Sequence, residues 1–133
     1  MRYLLDTDVF SVIARQNNDA AHKKLAQMES GSVMLSLITR AEVAFGLEKQ
    51  PVGPALLGRI LSMQRLLPTL PLNDSFIAHY ARTRDHLEKR GTPIGHNDLW
   101  LAAHALSADV TVVTGNTREF KRVPGLRVEN WLV

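Results

Sequence analysis

Three short runs, Arg2-Tyr3-Leu4-Leu5, Ser32-Val33-Met34-Leu35 and Thr111-Val112-Val113, read as nearly unbroken apolar stretches rather than alternating ones. Strands read this way when both of their faces are buried, as in a parallel sheet with helices above and below. Longer stretches with helical spacing separate them, over 8–15, 19–30, 39–49, 54–67, 74–90 and 97–107. Gly31, Pro51 and Gly91 stand where three of these must stop. Leu70–Leu72 and Leu126–Val128 are weaker strand candidates. The alternation predicts an α/β fold, with helices on both faces of a central, mainly parallel sheet of four to five strands. In such sheets ligands bind beyond the carboxyl ends of the strands, so the residues there carry the functional question.

At 133 residues the chain buries about two-thirds of its unfolded surface as one domain, 1–133, without needing staples. Cysteine is absent, which removes disulfide frameworks, thiolate zinc sites and thiol nucleophiles. No uncharged apolar run approaches the ~20 residues of a spanning helix, and Met1–Asp6 is too short for a signal segment. A cytoplasmic chain with no membrane role is expected. A net charge of +3 leans mildly towards polyanionic partners. Where the acids sit says more than their sum.

Asp6 closes the first strand and Asp8 follows two residues later. Glu42 and Asp98 each fall in the first turn of an expected helix, and Asn116 and Glu119 follow the last long strand. Two like charges 4 Å apart repel by about 4 kcal/mol at an effective dielectric of 20. An oxygen-only cluster of this kind suits a hard divalent cation, Mg²⁺ or Mn²⁺, which keeps several waters and meets a substrate phosphate. Each acid also has a plainer reading. Thr39-x-x-Glu42 has the form of a capping box, Asp8 that of an N-cap, Asp98 that of a helix-dipole partner, and Glu119 that of a solvated turn residue. Asp6 has no such simple role, because a carboxylate ending an apolar strand needs a partner or a cation.

Four stretches in order, LLDTDVFS, LITRAEVAFGL, IGHNDLWLAAHAL and TVVTGNTREFKRVPGLRVENW, resemble the PIN-domain ribonuclease toxins of VapBC toxin–antitoxin pairs almost from end to end. The resemblance implies a PIN-like α/β/α sandwich and a carboxylate quartet that binds Mg²⁺ or Mn²⁺. It also implies RNA cleavage leaving 5′-phosphate and 3′-hydroxyl ends, a homodimer, and a VapB-type antitoxin that blocks the site. Metal-binding and catalytic roles pass to Asp6, Glu42 and Asp98. Asp8 departs from the Asn usual in the family, and the fourth ligand stays open between Asn116 and Glu119. Thr7, Asp8, Ser11 and Thr114 are expected around the cluster, the hydroxyls orienting its carboxylates. Arg15, Arg40, Arg118 and Arg122 are expected to grip the RNA backbone. A similar-looking subgroup cuts initiator tRNA, although no motif in this chain encodes that choice. The helical stripe Leu56, Leu57, Ile60, Leu61 and Leu67 is expected to serve as a partner surface.

Two other readings compete. A strand followed by Asp6-x-Asp8 also resembles the haloacid-dehalogenase phosphatases, with Asp6 as nucleophile and Asp8 as general acid/base. Phe10 and the lack of a late acidic pair speak against it. The other is a catalytically weak PIN-like module that binds RNA or a partner, for which Asn116 is the best support. There is no Gly-x-Ser-x-Gly elbow, P-loop or His-Glu-x-x-His, and His96 is read as a loop residue.

Overall fold

The computed structural model describes every residue, 1–133. β1 (Tyr3–Leu5) runs into α1 (Thr7–Ala14), and α2 (Asp19–Gln27) leads to β2 (Val33–Ser36). α3 (Leu37–Lys49) and α4 (Pro54–Leu66) precede the short β3 (Thr69–Leu70). α5 (Ser75–Lys89), α6 (His96–Ala108), β4 (Thr111–Val113), α7 (Thr117–Phe120) and β5 (Val128–Glu129) follow. The strands form one sheet in the order β3-β2-β1-β4-β5, with every neighbouring pair parallel. The chain winds from β1 out to β3, then crosses back to β4 and β5. The reversal lies between β1 and β4, where Leu5 pairs with Val113, and at such a switch point the loops part to leave a crevice.

The unbroken apolar runs have a simple cause. Leu4, Met34 and Val112 point into one core with Leu87, Leu99, Leu101 and Phe120, while Leu5, Leu35 and Val113 point into the other with Val9, Phe10 and Ile60. Side chains alternate as in any strand, but both faces are dry. The α4 stripe is corrected here. Ile60 and Leu67 are buried in the second of these cores and Leu56 packs against them, so that of the five residues only Leu61 is exposed. The helical spacing identified an apolar face, and that face turns inward because α4 lies on α1, where Arg59 Nε donates to the Ala14 carbonyl at 2.7 Å. Besides Leu61 and the terminal Met1 and Val133, the large exposed apolar side chains are Leu37, Phe45, Leu66, Ile77 and Trp100.

Helix starts also differ from expectation. Ser36, at the end of β2, accepts the Ile38 N–H at 3.0 Å and caps α3, which therefore begins two residues before Thr39. Asn18, not Asp19, caps α2 by accepting the Ala21 N–H at 2.9 Å. No helix is long and apolar enough to cross a membrane.

Candidate active site

The site is built at the switch point. The Asp6 N–H donates to the Val113 carbonyl at 2.9 Å, so Asp6 and Thr114 leave the sheet side by side. Asp6 is only 5% exposed. One carboxylate oxygen accepts the Val9 N–H at 2.8 Å, which makes Asp6 the N-cap of α1. The other accepts a short hydrogen bond from the Thr114 hydroxyl. The N-cap expected of Asp8 is thereby corrected: the helix has already begun at Thr7, and Asp8 lies exposed in its first turn.

Glu42 is not a capping-box residue either, because Ser36 holds the cap and the Thr39 hydroxyl donates to the Leu5 carbonyl at 3.2 Å. Released from that role, Glu42 bridges the rim. Thr7 Oγ1 donates to one of its oxygens at 2.8 Å and Asn97 Nδ2 to the other at 3.0 Å. Asn97 escaped the reading of the sequence, and its only signal there is its place beside Asp98 at a helix start. Asp98 is half-buried in the first turn of α6. Glu119, half-buried on α7, accepts the Gly95 N–H at 2.9 Å and a short hydrogen bond from the Asn116 side chain. These bonds bring Glu119 to the same helix N-terminus as Asp98.

Burial raises the pKa of Asp6 against the opposing bonds from Thr114 and Val9, and Asp8 and Glu42 add to the rise. Asp98 is pushed up to about 6, first by burial and then by Glu119, Asp6, Glu42 and Asp8. Every hydrogen bond that reaches these five acids comes from a neutral donor. The ion pairs of the molecule, Arg84–Glu88, Asp85–Lys89 and Asp109–Arg127, all lie elsewhere. No three His, Cys, Asp or Glu side chains converge closely enough to hold one ion directly. The donor set nonetheless fits a hard cation. It is all oxygen, uncompensated and partly dry, and Mg²⁺ keeps several waters while taking only one or two carboxylates directly.

The other expected residues divide. Thr7 and Thr114 each orient a carboxylate. The Ser11 hydroxyl instead accepts Arg15 Nε at 3.2 Å, and both line a groove of about 300 Å³ between α1, α3 and α4, bordered by Thr7 and Glu42. Arg118 is exposed on α7, and Arg122 donates to the Pro93 carbonyl at 3.1 Å. Arg40 is half-buried and bonded to Thr69; two residues before Glu42, it lies about 200° around α3 and so faces away from the acids. His96 is the exposed first residue of α6 rather than part of a loop.

The sequence pattern of the PIN domain covers residues 3–126. The chain is 30% identical over 132 residues to ribonuclease VapC2 of Rickettsia felis, covering 98% of each chain. It is 30% identical over 131 residues to the tRNA(fMet)-specific endonuclease VapC of Shigella flexneri, again over 98% of each. In three dimensions it matches the structure of VapBC2 from Rickettsia felis bound to a promoter DNA fragment with a TM-score of 0.90 and 30% identity, over 98% of this chain and 99% of that one. These likenesses favour a nuclease over the phosphatase reading. With sequence and backbone matched almost throughout, the chain belongs to the PIN-domain family, in its VapC group of ribonuclease toxins.

Proposed function

We propose that this chain is a single PIN-like nuclease domain that acts in the cytoplasm as the toxin of a toxin–antitoxin pair. It is an Mg²⁺- or Mn²⁺-dependent endoribonuclease, and tRNA, initiator tRNA first, is the substrate to test. The observation that carries this reading is the rim where Asp6, Glu42 and Glu119 are held by neutral donors around Asp98, with no cationic side chain paired to any of them. A bound divalent cation supplies positive charge at the scissile phosphate and acidifies the attacking water. The chain's own groups do the placing. Asp6 is fixed from two sides by Val9 and Thr114 and marks the floor of the site. Asp98, drawn towards neutrality by burial and by the surrounding acids while no cation is bound, would give up that proton to a cation and hold it as a carboxylate. Glu119 rather than Asn116 is the fourth acid, with Asn116 orienting it. Arg15, Arg118 and Arg122 are exposed and contact the RNA backbone, whereas Arg40 stays with Thr69.

A VapB-type antitoxin segment fits the groove beside the rim, where Val43, Leu47 and Leu56 offer an apolar wall and Glu42 an acidic end for a basic side chain. The solved VapBC2 relative supports that partner. Exposed Leu37, Phe45, Ile77 and Trp100 supply the apolar surface for a homodimer; light scattering that finds only the 14.8 kDa chain at micromolar concentration rejects it. The test of the activity itself is cleavage of a tRNA pool by the purified chain, lost in EDTA and restored by Mn²⁺. Undiminished cleavage in excess EDTA overturns the metal reading, and sequencing the new RNA ends identifies the target.

A further inference from the structure

The helices that carry Glu42 and Asp98 are tied to each other at two points. At the rim, Asn97 of α6 donates to Glu42 of α3. In the interior, Ser36 Oγ at the cap of α3 lies 2.7 Å from His104 Nδ1 of α6, and both residues are buried. Ser36 and Glu42 are six residues apart and Asn97 and His104 seven, spans of about 9 and about 10.5 Å along a helix. The helices therefore run in opposite senses between two ties of matching length.

The inner tie has a defined polarity. His104 Nε2 lies 3.1 Å from the Pro71 carbonyl, which can only accept, so Nε2 carries the proton and Nδ1 is free to accept. The Ser36 hydroxyl donates to Nδ1, and its oxygen takes the Ile38 N–H at 3.0 Å. Bonds thus run from Ile38 through Ser36 and His104 to Pro71, and no buried side-chain polar atom is left without a partner. A third bond, from Thr39 to the Leu5 carbonyl, pins the same turn of α3 beside Asp6.

We infer that His104 is a positioning residue for the Glu42–Asp98 pair, fixing α3 against α6 through the Ser36 cap and so setting the spacing of the two carboxylates. This rests on the cation site proposed above, and the experiment separates the two. Mn²⁺ binding is measured by calorimetry on the full chain, with thermal midpoints alongside. His104→Asn keeps an acceptor near the Nδ1 position, towards Ser36, whereas His104→Gln keeps a donor near Nε2, towards Pro71. Both variants melt earlier than the parent. Mn²⁺ affinity is expected to stay within about two-fold in His104→Asn and to fall roughly ten-fold in His104→Gln, the lower range for losing an outer-shell partner. If both variants keep the parent's affinity, or both lose it equally, His104 is merely structural and the inference is wrong. A parent chain that binds no Mn²⁺ overturns the cation site instead. Should His104→Gln fail to fold, Ser36→Ala removes the same tie from the other side, and unchanged Mn²⁺ affinity there rejects the inference.

Discussion

The two ends of the parallel sheet carry charge under opposite rules. At the amino ends of the strands, Arg2 donates to the Ala108 carbonyl at 2.9 Å, and Arg127 reaches both the carboxylate and the carbonyl of Asp109 at 2.9 Å. Asp109 ends α6 in the left-handed region, at φ 55°, and the two arginines take up the helix-end carbonyls that this turn leaves open. Each cation there meets an acceptor and the structure is closed. At the carboxyl ends, Asp6, Glu42 and Glu119 meet only neutral N–H and O–H groups, and Asp98 sits among them with its pKa raised. Neutral donors fix where those oxygens lie without cancelling their charge. The lesson is that orientation and neutralisation are separate jobs, and this chain leaves the second undone at one end only.

The largest way to break that comparison is to neutralise the buried acid. Asp6→Asn keeps an oxygen for the Val9 N–H and so preserves the α1 cap, which Asp6→Ala would remove at a cost of about 1 kcal/mol. Losing an outer-shell partner alone costs about 10–100-fold, so losing a ligand is expected to cost at least about 100-fold in RNA cleavage. The thermal midpoint without added cation should hold or rise, because a desolvated charge is gone. A folded Asp6→Asn chain with near-parent cleavage would mean that the unpaired charge at this end has no catalytic role.

How much of this was legible in the sequence depends on which interactions are local. The sheet was visible in its apolar runs, and Asp6 and Asp98 stand at the strand end and helix start expected of them, whereas Glu42, expected in a first turn, lies in the second turn of α3 because that helix begins at Leu37. The caps could not. Asp6 rather than Asp8 caps α1, and Ser36 rather than Thr39 caps α3, because the residue that leaves a strand in extended backbone is chosen by its pairing, here Asp6 with Val113. Asn97 was hidden since its partner Glu42 lies 55 residues away. The stripe on α4 showed which face is apolar but not what it faces, and α1 supplied that answer.

A middle-sized effect sharpens the comparison through pH. The folded pKa of Asp98, about 6, lies above its ordinary 3.8, so the folded state holds this proton more tightly than the unfolded chain. Without cation its share of stability therefore falls as pH rises from about 4 to about 6 and is lowest above that range. His104 works oppositely: burial lowers its pKa below 6.5, so its contribution is present above that value and is lost on acidification. A cation competes with the proton at Asp98 but not at His104. Mn²⁺ at 100 times its Kd is expected to add about 2.7 kcal/mol near neutral pH, or roughly 10 °C at this chain length. That gain should shrink below about pH 6 as the proton competes for the carboxylates. Differential scanning calorimetry at the two pH values checks it, and a Mn²⁺ shift independent of pH detaches Asp98 from the cation.

The smallest expected effect belongs to the paired end. The Arg127 and Asp109 side chains are 47% and 87% exposed, so their ion pair is well solvated and contributes about 0–1 kcal/mol. Arg127→Ala also gives up the bond to the Asp109 carbonyl, which water can replace at an exposed helix end. The expected drop in thermal midpoint is at most roughly 4 °C, it fades further in high salt as an exposed pair is screened, and cleavage at saturating cation is unchanged. Kinetics on the folded variant decide the matter. If Arg127→Ala lowers the rate as a rim substitution does, the amino and carboxyl ends of the sheet are coupled, and charge balance at one end cannot be treated apart from the chemistry at the other.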